Sequence, residues 1–181
     1  AYASGKCGAN AQWSYYSYGT LYIEGSGAMY DYSFKNAPPW YPYRDNITTI
    51  DVSNDITYIG KCAFDSLSYV EELYIGNGLK EISDSAFCQF GYDNEIHPDI
   101  YFEGTFDELK KINVGTFNDA LYYSTLYCWD DEHKDEDMTI CGLFENRNYW
   151  ILEDDTLYMY GCESYDRNID YADGIGHGYT K

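Results

Sequence analysis

The stretch Ile50-Asp51-Val52, followed by Ile56, Ile59-Gly60 and Ala63-Phe64, recurs as Leu73-Tyr74-Ile75, Leu79, Ile82-Ser83 and Ala86-Phe87. Every matched position is offset by 23 residues. The turn follows the same shift, because Ser53-Asn54-Asp55 falls on Gly76-Asn77-Gly78, and these residue types tolerate tight backbone angles. A single coil of this kind cannot bury its own apolar face. The repeat therefore predicts a β-rich solenoid of stacked coils.

Two further strands are predicted on the C-terminal side of the repeat. The strand Ile100-Tyr101-Phe102 comes 27 residues after its counterpart, so four residues are inserted in the connection. The segment from Phe106 to Ile112 has apolar spacing typical of one or two helical turns. The strand from Ser124 to Cys128 is predicted to close that coil, with the Cys128 thiol pointing inward as a small apolar group.

Hairpin patterns flank the repeats. Residues 11–16 and 20–24 alternate in polarity on either side of Tyr18-Gly19, which predicts a β-hairpin. The pattern partly returns as Cys141-Gly142, Trp150 and the run from Thr156 to Gly161. We therefore predict three regions: a hairpin cap over residues 1–46, a solenoid over 47–128, and an acidic linker with a partial second hairpin cap and frayed tail over 129–181.

Taken together, these segments resemble the BspA-type leucine-rich-repeat proteins of bacterial surfaces. The features that carry the resemblance are Cys7-Gly8, Trp13, Gly19-Thr20-Leu21, Gly25-Ser26-Gly27, Ala37-Pro38-Pro39-Trp40-Tyr41, the repeat itself, Ile100 to Thr105, and Asn118-Asp119-Ala120-Leu121. The resemblance covers residues 7–128 and, more faintly, 141–165. It implies a short right-handed leucine-rich-repeat stack with one parallel sheet, export from the cell, and roles in binding or adhesion. Only two clean repeats and one irregular coil are present, where larger arrays are usual.

Composition narrows the class of partner. The 181 residues include 31 Asp and Glu against 11 Lys and Arg, a formal net charge of −20. This charge repels phosphate backbones and anionic lipid headgroups, so nucleic acid is not an expected partner. No apolar run is long enough for membrane insertion. The six cysteines allow disulfides but do not require them.

The chain contains 23 tyrosines, and five of them recur at one position of the predicted strands. In a strand written apolar-x-apolar, the two apolar side chains enter the core and the middle one faces outward. The middle position is held in turn by Tyr22, Asp51, Tyr74, Tyr101 and Tyr127, with Tyr158 in the second hairpin. Glu24, Glu72 and Glu103 lie two residues away along their strands. We predict that a ligand binds at Tyr22, Asp51, Glu72, Tyr74, Tyr101, Glu103 and Tyr127.

Three interpretations of this tyrosine-rich face remain open. Tyrosine offers a large contact area to a protein ligand, and its ring with neighbouring carboxylates also suits a sugar. The tyrosines alternatively stabilise the sheet by cross-strand pairing without any ligand.

A second aromatic group surrounds the first hairpin. Trp13 and Trp40 are predicted to pack as a cap over the open end of the solenoid. Tyr15, Tyr18 and Tyr43 are predicted to lie at the surface.

No pattern for catalysis or for a cofactor stands out. His97, His133 and His177 are not spaced as zinc ligands or as a nucleophile-activating pair. The acidic run at 130–137 lacks the glycine of a calcium-binding loop and is predicted to be a solvated connector. The expected protein is a non-catalytic recognition or adhesion module, secreted or attached to the cell surface, that binds a protein or polysaccharide. The alternatives are a carbohydrate-binding module of a plant-cell-wall-degrading system and a structural spacer in a larger surface protein.

Overall fold

The computed structural model describes residues 1–91, 97–129, 139–144, 148–153, 156–160 and 169–170, and after residue 129 the description covers the strand backbone. The predicted acidic linker at 130–137 and the predicted tail at 174–179 lie outside the described residues. None of the described helices has the length and apolar character that a membrane crossing requires.

Strands dominate the described part of the chain. The strands are β1 (Ala3–Lys6), β2 (Gly8–Tyr15), β3 (Thr20–Met29), β4 (Thr49–Val52), β5 (Ile56–Ile59), β6 (Glu72–Ile75), β7 (Glu81–Ile82), β8 (Asp99–Thr105), β9 (Asn113–Val114), β10 (Thr125–Trp129), β11 (Thr139–Phe144), β12 (Asn148–Glu153), β13 (Thr156–Tyr160) and β14 (Ile169–Asp170). The helices are short: a 3-10 helix (Tyr41–Asn46), α1 (Phe106–Leu109) and α2 (Ala120–Tyr123).

The main ladder is parallel and runs through β3, β4, β6, β8 and β10. Its register aligns one apolar residue from each strand, and all five are buried: Leu21, Ile50, Leu73, Ile100 and Leu126. The 23-residue offset thus corresponds to one complete coil, because residues that far apart face each other on neighbouring strands. The predicted solenoid with a parallel sheet is confirmed.

A second, shorter parallel ladder closes the other side of each coil. The far end of β3 pairs with β5, β5 with β7, and β7 with β9. The repeat positions Ile56, Ile59 and Ile82 point into the core from these strands. The sequence analysis recognised these positions as part of the repeat without predicting that they form a ladder of their own.

An aromatic spine fills the interior. Trp40, Phe64 and Phe87 are completely buried, with ring centroids 6.0 Å apart for the first pair and 5.3 Å for the second. The indole Nε1 of Trp40 donates a hydrogen bond to the carbonyl oxygen of Ala63 at 2.9 Å. Trp13 packs edge-on against Trp40 at 5.9 Å and is itself buried. The predicted packing of the two tryptophans is confirmed.

The first hairpin forms as predicted, and β1 adds a third strand beside β2. Tyr15 was predicted at the surface, and this was wrong, because its side chain is only 4% exposed. Its ring stacks on Tyr43 at 4.8 Å and meets the edge of Tyr2 at 6.3 Å. Tyr43 is partly buried against the core, whereas Tyr18 is 66% exposed as predicted.

The predicted helical segment after β8 forms as a single turn, α1, which ends at Leu109. It begins at a capping box in which the Thr105 hydroxyl accepts from the Glu108 N–H and the Glu108 carboxylate accepts from the Thr105 N–H. Such a cap satisfies donors that the first helical turn leaves unpaired.

Antiparallel strands follow the solenoid. β11 pairs with β10, and then β12 and β13 pair as a hairpin in which Trp150 lies opposite Met159. The predicted second hairpin is therefore present. It differs from the first because Cys141 and Trp150 lie on separate strands, β11 and β12.

Candidate ligand-binding face

The predicted outward positions lie side by side on the parallel ladder. The strand register aligns Tyr22 with Asp51, Asp51 with Tyr74, Tyr74 with Tyr101, and Tyr101 with Tyr127. We call these five residues the tyrosine row. All five side chains are partly exposed, whereas the residues before and after them in each strand are buried. Tyr158 lies in β13, but its side chain is outside the described residues.

Three rings of the tyrosine row form a continuous stack. Tyr74 and Tyr101 have ring centroids 4.8 Å apart with planes inclined by 13°, and Tyr101 and Tyr127 are 4.9 Å apart with planes inclined by 11°. These distances match the spacing of neighbouring strands, about 4.8 Å. The ring faces within the stack therefore cover one another. To a ligand the stack presents ring edges, hydroxyl groups and the outer face of Tyr74.

Tyr22 belongs to a separate aromatic group. Its ring meets Tyr16 edge-on at 5.5 Å, and Tyr16 stacks on Tyr18 at 5.3 Å. A hydrogen bond with Tyr18 is the main cause that raises the pKa of the Tyr22 phenol to about 12. Asp51 thus divides the aromatic residues of this face into two groups.

A cavity of about 240 Å³ opens beside Asp51, lined by Asp51, Val52, Ser53, Asn54, Tyr74 and Glu103. We call it the Asp51 cavity. Gly76 packs directly against the Ser53-Asn54 backbone that lines this cavity. A Cβ atom at position 76 would lie 2.4 Å from the Cα of Asn54, so the close approach of the two coils requires glycine. The Ser53 hydroxyl oxygen is buried and has no hydrogen-bond partner among the described residues.

The sheet face is strongly acidic. Strands β3, β4, β6, β8 and β10 contain no lysine or arginine. Their outward positions carry five carboxylates: Glu24, Asp51, Glu72, Asp99 and Glu103. Glu72 accepts a hydrogen bond from the Tyr74 hydroxyl at 3.3 Å. The ion pairs found within the described part of the chain, Arg44 with Asp45 and Lys110 with Asp107, lie elsewhere.

The surroundings of Asp51 disfavour the charged form of its carboxyl group. Burial raises the pKa of its carboxyl group, and the negative charges of Glu103 and Glu24 raise it further. Within the described residues, no hydrogen-bond donor or cation contacts it. The structure therefore holds a half-buried anion that the described protein groups leave uncompensated.

We expect Asp51→Asn to be more stable than the wild type at neutral pH. A raised pKa means that the folded chain binds the Asp51 proton more tightly than the unfolded chain, so stability falls as the pH rises from the ordinary value of 3.8 through the folded-state pKa. The variant lacks this loss. Urea unfolding at a series of pH values should show its advantage growing through that window and vanishing below it. An advantage that is the same at every pH would contradict the assignment.

The described residues do not support metal binding or catalysis by a thiol nucleophile. No group of three or more His, Cys, Asp and Glu residues there is arranged to hold a metal ion. His97 stacks on Tyr123 at 6.0 Å, and His133 and His177 lie outside the described residues. The Cys7 thiol has its pKa raised to about 12 by burial, so it is protonated at neutral pH and a poor nucleophile. Cys128 is buried as predicted.

The structure describes the side chains of four of the six cysteines. Cys7, Cys62 and Cys88 are free in the structure. The side chains of Cys141 and Cys162 lie outside the described residues.

Stacked coils with an in-register apolar ladder and one outward-facing sheet surface define a leucine-rich-repeat solenoid, a class of repeat protein built for interaction. A family model described as BspA type leucine rich repeat region, with 6 copies, matches residues 40–141. The chain belongs to this BspA-type family.

The chain is similar to a leucine-rich repeat protein from Eubacterium ventriosum, with 16% sequence identity and a TM-score of 0.49. The similarity covers 87% of this chain and 48% of that one, so the chain spans about half the length of that structure. Comparison with curated proteins gives no significant match.

Proposed function

We propose that the chain is a non-catalytic recognition module that binds a protein ligand through the tyrosine row. The in-register stack of Tyr74, Tyr101 and Tyr127 on a partly exposed sheet face is the observation that carries the proposal. Stacked rings lose little conformational freedom on binding because their positions are already fixed. Tyrosine is enriched among residues that dominate the energy of protein interfaces, since it offers a large apolar surface together with a hydroxyl group.

The ring geometry favours a protein ligand over a polysaccharide. A sugar that stacks on an aromatic residue needs a free ring face. In this stack the faces between Tyr74, Tyr101 and Tyr127 cover one another, with plane angles of 13° and 11°, so the stack offers end faces but no series of free faces along a polysaccharide chain. Ring edges and hydroxyl groups suit the mixed polar and apolar surface of a protein. A polysaccharide ligand, and with it the carbohydrate-binding alternative, is an outcome that the binding experiment can distinguish.

We place this module outside the cell, secreted or attached to the surface. The support is family membership, because BspA-type leucine-rich-repeat proteins are often secreted or surface proteins of bacteria. The net charge of −20 favours a partner with basic groups at its surface.

The double variant Tyr74→Ala/Tyr101→Ala tests the proposal. The purified chain would be screened on an array of extracellular proteins and, in parallel, on a glycan array, and each hit would be measured by surface plasmon resonance. We expect a protein ligand whose affinity falls at least about 30-fold in the double variant, since one interface hot spot contributes about 2 kcal/mol or more.

The matched control is Tyr30→Ala/Tyr123→Ala, which removes two exposed tyrosines that are not part of the tyrosine row. It should bind like the wild type, and thermal unfolding would verify that both double variants remain folded. Unchanged protein binding by Tyr74→Ala/Tyr101→Ala would place the ligand elsewhere. A glycan hit lost in the same variant would support the carbohydrate-binding alternative, and no hit on either array would support a structural spacer.

A further inference from the structure

The tyrosine row has one interrupted position. Asp51 lies in register between Tyr22 and Tyr74. The three positions of the row that follow it, Tyr74, Tyr101 and Tyr127, carry stacked rings. The strands of Tyr22 and Tyr74 are two spacings apart, roughly 9.6 Å. An aspartate side chain is shorter than a tyrosine, so it leaves room above its carboxylate for one flat group.

The ring of Tyr74 borders this space with an uncovered face. Its ring contact among the described residues is with Tyr101 on the opposite side. The Asp51 cavity opens against Tyr74, and Asp51 is close enough that its charge raises the pKa of both the Tyr22 and the Tyr74 phenols. The cavity therefore combines a free aromatic face with a carboxylate.

Charge determines which flat group fits. Asp51 has no cation or hydrogen-bond donor beside it within the described residues, and Glu24 and Glu103 add negative charge around it. The cavity is also lined by Ser53, whose hydroxyl oxygen lacks a partner among the described residues. A neutral aromatic ring would cover Asp51 and leave its charge uncompensated, at a large cost in free energy.

We infer that the Asp51 cavity receives the guanidinium group of an arginine from the partner protein. The inference rests on the proposed function and names the anchor residue of its ligand. A guanidinium group is planar and cationic, stacks on a tyrosine face, and can donate two parallel hydrogen bonds to one carboxylate. A lysine ammonium supplies the charge but neither the flat stacking surface nor the paired donors.

Titration with small probes tests the cavity directly. N-acetyl-argininamide, N-acetyl-lysinamide and N-acetyl-citrullinamide would be added separately to the ¹⁵N-labelled chain, and backbone amide shifts would be followed by NMR. We expect the arginine probe to shift the signals of residues 51–54 and 74–76. The lysine probe should bind at least about 5-fold more weakly, and the neutral citrulline probe should produce no saturable shift.

Two substitutions at Asp51 sharpen the result. Asp51→Asn keeps the shape and should weaken the arginine probe about 10-fold or more, because the amide cannot make charge-assisted hydrogen bonds with the guanidinium group. Asp51→Tyr should occupy the space and abolish binding. Glu81→Gln, which removes one charge from the exposed side of β7, is the control and should bind within about 2-fold of the wild type. Thermal unfolding would show that each variant remains folded.

The outcomes separate this inference from the proposed function. Equal binding of lysine and arginine probes, or unchanged binding by Asp51→Asn, would overturn the arginine assignment. If the protein ligand from the array is lost in Tyr74→Ala/Tyr101→Ala but retained by Asp51→Asn, the inference fails and the proposed function stands. If the arginine probe binds at the cavity but no protein ligand is found, the proposed function fails and the guanidinium site stands.

Discussion

Replacement of Phe64 by alanine is expected to lower the free energy of unfolding by about 3–5 kcal/mol, the usual range for deleting a buried phenylalanine side chain. Phe64 is completely buried and lies in the middle of the aromatic spine, between Trp40 and Phe87. Its removal would leave a void that neighbouring coils cannot close without breaking their strand register. The loss should appear in urea unfolding as a lower midpoint with an unchanged slope.

The matched control is Phe34→Ala, since Phe34 is 97% exposed. This variant loses the same atoms from the surface and should unfold within about 0.5 kcal/mol of the wild type. Similar effects of the two substitutions would contradict the placement of Phe64 in the spine.

Asn118→Ala is expected to cost about 3 kcal/mol by a different mechanism. Asn118 is completely buried, and its Oδ1 accepts a hydrogen bond from the Phe87 N–H at 2.9 Å. Its Nδ2 donates to the carbonyl oxygens of Ser83 at 3.0 Å and Gly115 at 2.8 Å. Alanine would leave these backbone groups buried and unpaired, at a cost of about 1–3 kcal/mol each before the surroundings relax.

Unfolding by urea would measure the effect, with Asn77→Ala as the control because Asn77 is exposed on a turn between coils. Asn118→Asp should be at least as destabilising at neutral pH, because a carboxylate would face the carbonyl oxygens that now accept from Nδ2. Recovery of Asn118→Asp at acidic pH, where the carboxyl group regains a donor, would strengthen the interpretation. A loss below about 1 kcal/mol in Asn118→Ala would show that the bonded groups find other partners.

The main ladder was predictable because it depends on a repeated pattern. The 23-residue offset between Ile50 and Leu73 fixes which residues face each other, and alternation then determines that Asp51 and Tyr74 point outward. The inserted residues before Ile100 lengthen a connection without altering the register of β8 beside β6. Binding by these residues remains a prediction.

Tyr15 shows where the prediction went wrong although the signal was present. Alternation along β2 buries Ala11, Trp13 and Tyr15 on one face, so the burial of Trp13 already implied that of Tyr15. The sequence analysis instead grouped Tyr15 with the exposed Tyr18. The covering contact from Tyr2 depends on β1, a strand that was not predicted.

The geometry of the site could not be predicted from the pattern alone. Ring stacking depends on the side-chain rotamers of Tyr74, Tyr101 and Tyr127, which neighbouring strands select together. The backbone that lines the Asp51 cavity at Ser53 and Asn54 packs against Gly76, which the sequence analysis assigned only to a turn. Tyr16, which links Tyr22 to Tyr18, was grouped with the hairpin and not with the ligand-binding face.

The pairing at the two ends of the main ladder has a consequence for self-association. An antiparallel strand lies beside the first coil, where β2 pairs with β3, and another lies beside the last, where β11 pairs with β10. These two antiparallel strands occupy the edges of the main ladder, and unpaired strand edges are where β proteins commonly associate. The main ladder thus presents an outward surface of fixed width, about 19 Å across five strands, bounded on each side by an antiparallel strand.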